Sequence, residues 1–302
     1  MSNIFGLINS DSKICIRSKA NKINLTVCNN NKYSADDLIK DVENMASKIP
    51  QCKSIYLGNN IPNYHLLVDK CKKFIITNSV DASFVKQMIE KDKIYCLLIR
   101  DEFINSHDEQ YLDFDFRDTK LNIGSECLKY VVSNNFKIKK LALNMTHQEY
   151  MTSIQDDELF DDFISSLKYL FDNNDIQYFK MFIDTPIIEH KNQTKLLNFC
   201  KTLDVKDMIL DCHQSDDDEN PSPMGNARSL INMGVFSKIM LSLENFVHED
   251  IELNKENYKL IHFSLWGHFS ESFIPDDINE LVENNNKYIA DKRFKHVKPI
   301  NN

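Results

Sequence analysis

Two consecutive stretches of sequence decide the fold: residues 52–70, CKSIYLGNNIPNYHLLVDK, and residues 71–89, CKKFIITNSVDASFVKQMI. They superimpose with an offset of nineteen residues. The apolar positions then coincide, Cys52 with Cys71, Ile55 with Phe74 and Leu57 with Ile76. Each stretch is predicted to form a short strand, a turn and a short helical segment. Because one such unit cannot bury its own apolar face, the pattern predicts a stack of similar units.

The same frame of three apolar positions recurs along the chain. Two residues of any type separate the first position from the second, and one residue separates the second from the third. Its predicted copies are Cys52/Ile55/Leu57, Cys71/Phe74/Ile76, Ile94/Leu97/Ile99, Ile138/Leu141/Leu143, Ile176/Phe179/Met181, Val205/Met208/Leu210, Phe236/Ile239/Leu241 and Tyr258/Ile261/Phe263. A degenerate copy is predicted at Leu112 and Phe114. Helical patterns lie between the strands, and the longest is expected over residues 156–171.

This frame resembles the leucine-rich repeat, whose pattern is LxxLxLxxN, over roughly residues 50–266. Leu is often replaced by Ile, Phe, Met or Cys, and the final Asn of the pattern is matched at Asn60. The resemblance implies an α/β solenoid with a parallel sheet, which binds another protein and needs no cofactor. The predicted organisation is an N-terminal β/helix cap over residues 1–50, repeats over 51–268, and a C-terminal helix cap and tail over 269–302.

A (β/α)₈ barrel is the alternative architecture. The chain length and the number of strands fit a barrel, and several strands are apolar on both faces, as in a covered parallel sheet. A full strand–helix–strand unit takes about thirty residues. The strands of Ile55, Phe74 and Leu97 are only nineteen and twenty-three residues apart. This spacing favours the solenoid.

Composition restricts the class of protein. A net charge of −9 over 302 residues disfavours general nucleic-acid binding, which requires a basic surface, although it allows a local basic patch. The eight cysteines include no CxxC pair, which is typical of reduced thiols in a cytoplasmic protein. No signal peptide is recognised, and the apolar runs are too short to span a membrane. Only six glycines occur, and no phosphate-binding glycine motif is present.

Strand alternation predicts which residues would face a binding partner, because neighbours of core positions point to the opposite side of the sheet. The predicted partner-binding residues are Tyr56, Ile75, Thr77, Leu98, Arg100, Asp113, Asp115, Ala142, Asn144, Lys180, Phe182, Ile209, Asp211, Met240, Ser242 and His262. Their middle column is mostly apolar. We expect such a stripe to be covered by a partner protein, a second copy or a terminal segment of the chain itself.

Polar residues at the ends of strands raise a catalytic alternative. In a barrel, Asp184, Asp211, His213 and Glu244 would lie at the carboxyl ends of the strands, where a hydrolase could bind a divalent metal. Turn residues that follow strands are often polar for structural reasons alone, and no established metal-binding spacing occurs. The preferred hypothesis is therefore a non-enzymatic interaction scaffold without metal or cofactor. A third hypothesis is an α/β enzyme that has lost its catalytic groups.

Overall fold

The computed structural model describes residues 14–19, 22–27, 34–58, 61–77, 82–99, 115–145, 157–184, 190–214, 226–243, 251–266 and 274–295. The chain divides into two compact units, Met1–Leu141 and Ala142–Asn302. The division falls within a strand, Lys137–Met145, which we number β7. The predicted division into two caps and a repeat region stays a prediction.

The first unit alternates strands with short helical segments. Its other strands are β1 (Ile14–Lys19), β2 (Lys22–Val27), β3 (Cys52–Leu57), β4 (Cys71–Ile76), β5 (Ile94–Ile99) and β6 (Asp115–Gly124). Its helices are α1 (Ala35–Lys48), a 3₁₀ helix at Tyr64–Lys70, α2 (Ala82–Glu90), a 3₁₀ turn at Ser125–Cys127 and α3 (Leu128–Ser133). Ser34 caps α1, because its Oγ accepts a hydrogen bond of 3.3 Å from the backbone N–H of Asp37.

The nineteen-residue offset in the sequence is the register of the β3–β4 pair. The two strands are parallel, and Cys52 lies opposite Cys71, Ile55 opposite Phe74 and Leu57 opposite Ile76. A single 3₁₀ helix connects them, so the predicted short connection is confirmed. The core on this side is aromatic: the ring centroid of Phe84 in α2 lies 5.7 Å from that of Phe74 and 4.6 Å from that of Tyr64.

The sequence predicts a degenerate copy of the frame at Leu112 and Phe114. Both residues lie outside the described residues, and the strand of this repeat is β6, which begins at Asp115. Its buried residues include Phe116, Thr119, Leu121 and Ile123, and the register places Leu121 opposite Leu97 and Ile123 opposite Ile99 of β5. Thr119 is 4% exposed and its Oγ1 donates to the carbonyl of Ile94, so this buried hydroxyl has a hydrogen-bond partner.

The second unit has the same alternation with longer helices. Its complete strands are β8 (Tyr178–Asp184), β9 (Asp207–Gln214), β10 (Lys238–Leu243) and β11 (His262–Trp266). Its helices are α4 (Asp157–Asn173), α5 (His190–Lys201), α6 (Ala227–Asn232) and α7 (Asp276–Lys295). The frames at Phe179, Met208 and Ile239 are core positions, each completely or almost completely buried.

The last frame is shifted by two residues from its predicted place. Phe263 of β11 lies opposite Ile239 of β10, so it is the second core position of its frame and not the third. The first position is then Leu260, which is fully buried, whereas Tyr258 is 58% exposed. Both placements of the frame, one that starts at Tyr258 and one that starts at Leu260, fall on apolar or aromatic residues. The pattern alone therefore could not choose between them.

The strands are parallel, apart from the antiparallel β1–β2 hairpin, and they pair in chain order within each unit. β1 is paired with β2 alone and β11 with β10 alone, so both strands are free edges in the part of the chain that is described. The fold is therefore α/β with a parallel sheet that is not closed. The alternative (β/α)₈ barrel, in which first and last strands pair, is wrong. None of the described helices has both the length and the apolar character needed to cross a membrane.

Candidate interaction surface

The strands of the first unit carry three rows of side chains on the face opposite the core, which we call the first strand face. Register places two of them as Lys22, Ser54 and Lys73, and as Asn24, Tyr56, Ile75, Cys96 and Lys120. The third pairs Leu98 with Asn122, and Thr77 directly follows β4 on the same side. The middle row crosses five neighbouring strands, β2 to β6. Side chains in one row are about 4.8 Å from their neighbours in the hydrogen-bonding direction, so a bound chain would contact several strands at once.

The centre of the first strand face is apolar and half-buried. Tyr56, Ile75 and Leu98, which the sequence placed here, have intermediate exposure and lie between the more polar ends of their rows. Thr77 is also half-buried, and its Oγ1 donates to the carbonyl of Leu57 at 3.1 Å. Residues of this kind, partly wetted and contiguous, are suited to the centre of a protein interface.

The β6 residues of this face differ from those predicted. Arg100 and Asp113 lie outside the described residues. Asp115 is the exposed first residue of β6, and the guanidinium of Arg117 hydrogen-bonds to it, which holds the pKa of that carboxyl below its usual value. In the described part of β6, the residues that reach the first strand face are Lys120 and Asn122.

Two asparagine side chains on the first strand face have a carbonyl oxygen that accepts no hydrogen bond. Neither Oδ1 of Asn24 nor Oδ1 of Asn122 accepts a hydrogen bond within the described residues, and both atoms are shielded from solvent. A shielded acceptor without a partner is destabilising by about 1–3 kcal/mol. The two amides flank the apolar centre, where a hydrogen-bond donor from a bound chain would relieve this penalty. Sequence reasoning missed both residues, although Asn24 alternates with the core positions Ile23 and Leu25.

The second unit has its own strand face, defined here as the second strand face. Its rows are Lys180, Ile209, Lys238 and His262; Phe182, Asp211, Met240 and Ser264; and Asp184, His213, Ser242 and Trp266. Strand alternation had assigned Lys180, Phe182, Asp211, Met240, Ser242 and His262 to this side. Met240 and Ser242 are half-buried, and His262 is exposed.

A charged cluster occupies the β8–β9 part of the second strand face. Lys180 Nζ lies 2.8 Å from Asp211 Oδ2 and 3.7 Å from the ring centroid of Phe182. The Nε2 of His213 lies 3.7 Å from the other oxygen of Asp211. The ion pair is largely withdrawn from solvent, whereas the imidazole is 58% exposed. The cluster presents one accessible histidine above a neutralised pair.

Two residues predicted for the accessible stripe are buried. Ala142 is fully buried and Ile209 is 5% exposed. Ile209 lies in register between Lys180 on β8 and Lys238 on β10, and lysine stems of this length cover an apolar neighbour. These two residues therefore have almost no exposed surface, whereas the partner-binding role of the set stays a prediction. Asn144, two residues after Ala142, is half-buried.

The residues of the hydrolase hypothesis are only partly brought together. Asp184 lies opposite His213 in the β8–β9 register, but Glu244 is outside the described residues. Asp211 forms an ion pair with Lys180, and the ammonium group neutralises the carboxylate charge that would bind a metal ion. Across the described ranges, no group of three histidine, cysteine or acidic side chains is placed to hold a metal ion. Cys212 is buried and His213 exposed, so these neighbours point to opposite faces, as strand alternation predicts.

The chain is an α/β protein whose parallel strands pair in sequence order within each unit, and each unit has its own strand face. No family model, no curated protein and no solved structure matches the chain.

Proposed function

We propose that this protein is a non-enzymatic scaffold of the leucine-rich-repeat type, which binds a partner protein through its strand faces. The observation that carries the proposal is the middle row of the first strand face. Tyr56, Ile75 and Cys96 lie side by side on three parallel strands, half-exposed and opposite the packed core. A contiguous apolar row of this kind is unfavourable when it is exposed to water, and a bound partner would cover it.

The repeat geometry supports the same proposal. The β3–β4 pair repeats after nineteen residues with one 3₁₀ helix between the strands, which is the short repeat of a solenoid. In such proteins the strands form a regular surface on which side chains from successive repeats recognise one extended partner. The shielded acceptors of Asn24 and Asn122 add fixed hydrogen-bonding positions at both ends of the apolar centre.

We place the protein in a reducing compartment, the cytoplasm. Supporting this are six cysteines among the described residues that form no disulfide, five of them buried. Burial raises the pKa of Cys71 and of Cys200 to about 12. Neutral, buried thiols behave as small apolar core residues, and this use of cysteine is common in cytoplasmic proteins.

The proposal is tested by charging the apolar centre of the first strand face. The variant Tyr56→Glu with Leu98→Glu should lose the proteins that the wild-type chain retains from its native extract, while its circular dichroism and thermal midpoint stay close to wild type. The matched control is Leu66→Glu with Tyr169→Glu, because these side chains are 40% and 44% exposed on helical segments. Equal retention by all three proteins would reject a partner site on this face.

Two further measurements separate the proposal from its alternatives. If the Tyr56 and Leu98 changes unfold the chain, the row is part of the core, and Met240→Glu then tests the second strand face alone. Elemental analysis of the purified protein, with and without chelator, tests the metal-dependent hydrolase. A stoichiometric metal that is lost together with a hydrolytic activity would replace the scaffold hypothesis.

A further inference from the structure

A cleft of about 210 Å³ lies in the second unit, between helix α7 and the segment that leads into β11. Tyr258 lines the cleft from that segment, and Leu281 lines it from the helix. Pockets for drug-sized ligands measure about 300–1,000 Å³, so this cleft suits a smaller molecule. The strand faces described above do not contribute to it.

Hydrogen bonds hold the two sides of this cleft in place. Asn285 lines it and is 2% exposed, and its Nδ2 donates to the carbonyls of Asn257 and Leu260, each at 2.7 Å. Asp277 also lines it, and its carboxylate accepts two hydrogen bonds from the guanidinium of Arg228, at 2.7 and 3.1 Å. These bonds join α7 to the segment before β11 and to α6, so the cleft is formed before any ligand binds.

Two charged side chains that line the cleft have no partner within the described ranges, the ammonium of Lys255 and the carboxylate of Glu280. Both residues are exposed, and they form no ion pair with each other. Asp277, the second carboxylate of the cleft, is already neutralised by Arg228. The cleft therefore presents one positive and one negative group that are separate from each other.

An exposed pair of aromatic rings adjoins the same cleft. Tyr258 and Tyr288 are 58% and 43% exposed, and their ring centroids are 5.5 Å apart with planes inclined by 35°. Contiguous apolar surface of this kind marks binding sites more often than isolated exposed residues do. A tyrosine ring offers apolar contact area, and its face also attracts a cation such as an ammonium group.

We propose that this cleft binds a free α-amino acid with an apolar side chain, such as leucine. The ammonium group of the ligand pairs with Glu280, its carboxylate pairs with Lys255, and its side chain packs on Tyr258 and Leu281. A zwitterion satisfies both unpaired charges of the cleft at once, because it carries the complement of each. The site lies in the second unit and does not depend on the proposed scaffold function.

Other classes of ligand match the cleft less well. A simple anion would pair with Lys255 but be repelled by Glu280, and a simple cation would meet the opposite problem. The backbone of an internal peptide segment carries neither charge, so it would leave both groups unpaired. The small volume of the cleft also suits a single amino acid.

Calorimetric titration of the full chain with L-leucine tests this inference, with two analogues for comparison. Leucinamide lacks the carboxylate, and 4-methylpentanoate lacks the ammonium group. The wild type should bind leucine about threefold to fivefold more tightly than either analogue, as expected for the loss of one exposed ion pair. Lys255→Gln should bind leucine and leucinamide equally, and Glu280→Gln should bind leucine and 4-methylpentanoate equally.

The matched controls are Lys287→Gln and Glu283→Gln, which neutralise the same kinds of charge at exposed positions of α7 that do not line the cleft. Both controls should bind leucine as the wild type does and keep its preference over the two analogues. Three outcomes would overturn the inference: no binding of leucine by the wild type, equal binding of leucine and its analogues, or the same loss in the controls as in the cleft variants. The scaffold proposal fails separately, when the Tyr56 and Leu98 changes leave partner retention intact.

Discussion

Lys180 and Asp211 form an ion pair across β8 and β9, with 2.8 Å between Nζ and Oδ2, and their side chains are only 14% and 17% exposed. The ammonium also lies over the ring of Phe182, which closes one side of the pair. Both charges depend on each other, since each has given up most of its water. The pair therefore links β8 and β9 on the second strand face.

Breaking this pair should destabilise the second unit. Asp211→Asn leaves the ammonium of Lys180 without its counter-charge, and we expect the free energy of unfolding to fall by about 1–3 kcal/mol. Chemical denaturation measures the change. Lys180→Met together with Asp211→Asn should recover part of the loss, because Lys180→Met removes the ammonium that Asp211→Asn leaves unpaired.

The matched control for the Asp211 variants is the exposed ion pair of Asp157 in α4 and Lys191 in α5. The distance from Lys191 Nζ to Asp157 Oδ2 is 3.1 Å, and the side chains of Asp157 and Lys191 are 55% and 53% exposed. Water already solvates these charges, so Asp157→Asn should leave the denaturation midpoint almost unchanged. If Asp157→Asn and Asp211→Asn shift the midpoint equally, burial contributes nothing to the Lys180–Asp211 pair.

Stability should fall at alkaline pH because of buried thiols. Burial raises the pKa of Cys200 to about 12, and burial together with the neighbouring Cys52 does the same for Cys71. Above the ordinary thiol pKa of about 8.5, the unfolded chain loses these protons while the folded chain keeps them. Folding is therefore favoured fully below that value, and each thiol lowers the free energy of unfolding by up to about 1.4 kcal/mol per pH unit above it.

Denaturation at several pH values from about 8 to 10 checks this slope, because both thiols cross the ordinary range there. Other groups titrate in the same window, so the informative comparison is with Cys200→Ala. That variant is less stable at neutral pH but should show a shallower decline with pH than the wild type. Identical slopes would mean that Cys200 ionises in the folded state as readily as in the unfolded chain.

Helix α7 is held by a buried amide. Asn285 is 2% exposed, and its Nδ2 donates to the carbonyls of Asn257 and Leu260, each at 2.7 Å. Asn285→Leu leaves two buried carbonyls without this donor and should reduce the free energy of unfolding by about 2–3 kcal/mol. Denaturation and proteolysis at the carboxyl end of the chain measure the effect.

The adjacent residue is the control for this change. Asn286 makes the same type of bond, from Nδ2 to the carbonyl of Ile261 at 3.1 Å, but its side chain is exposed. Water can replace that donor, so Asn286→Leu should lower stability by less than about 1 kcal/mol. Similar losses for both variants would contradict a special role for Asn285 in holding α7.

The repeat pattern predicted the fold where side chains follow it closely. Superposing residues 52–70 on 71–89 reproduced the observed register of β3 and β4, because both strands use apolar residues at all three core positions. The frame did not predict β6, in which Thr119 is buried and donates a hydrogen bond to the carbonyl of Ile94. A polar residue that satisfies its own hydrogen bond is indistinguishable in sequence from one that faces solvent.

The faces were predictable from alternation, but their contacts were not. Alternation placed Lys180, Phe182 and Asp211 on one side of the sheet. Their association requires the β8–β9 register, which follows from long-range pairing and not from either strand alone.

Asn192 and Gln193, adjacent in the first turn of α5, provide a comparison of two buried amides. Asn192 is 1% exposed, and neither atom of its amide has a hydrogen-bond partner in the described part of the chain. Gln193 is fully buried but does have a partner. A desolvated amide without partners opposes folding, whereas a satisfied one supports it.

Replacing each amide by leucine should therefore shift stability in opposite directions. Asn192→Leu removes two unsatisfied polar atoms at nearly constant shape and should raise the free energy of unfolding by about 1–2 kcal/mol. Gln193→Leu removes a satisfied group and should lower it by about 1–3 kcal/mol, because the former partner is left without its bond. Paired denaturation curves give both signs in one experiment. A loss of stability in Asn192→Leu as large as that in Gln193→Leu would show that the Asn192 amide is hydrogen-bonded in the folded protein.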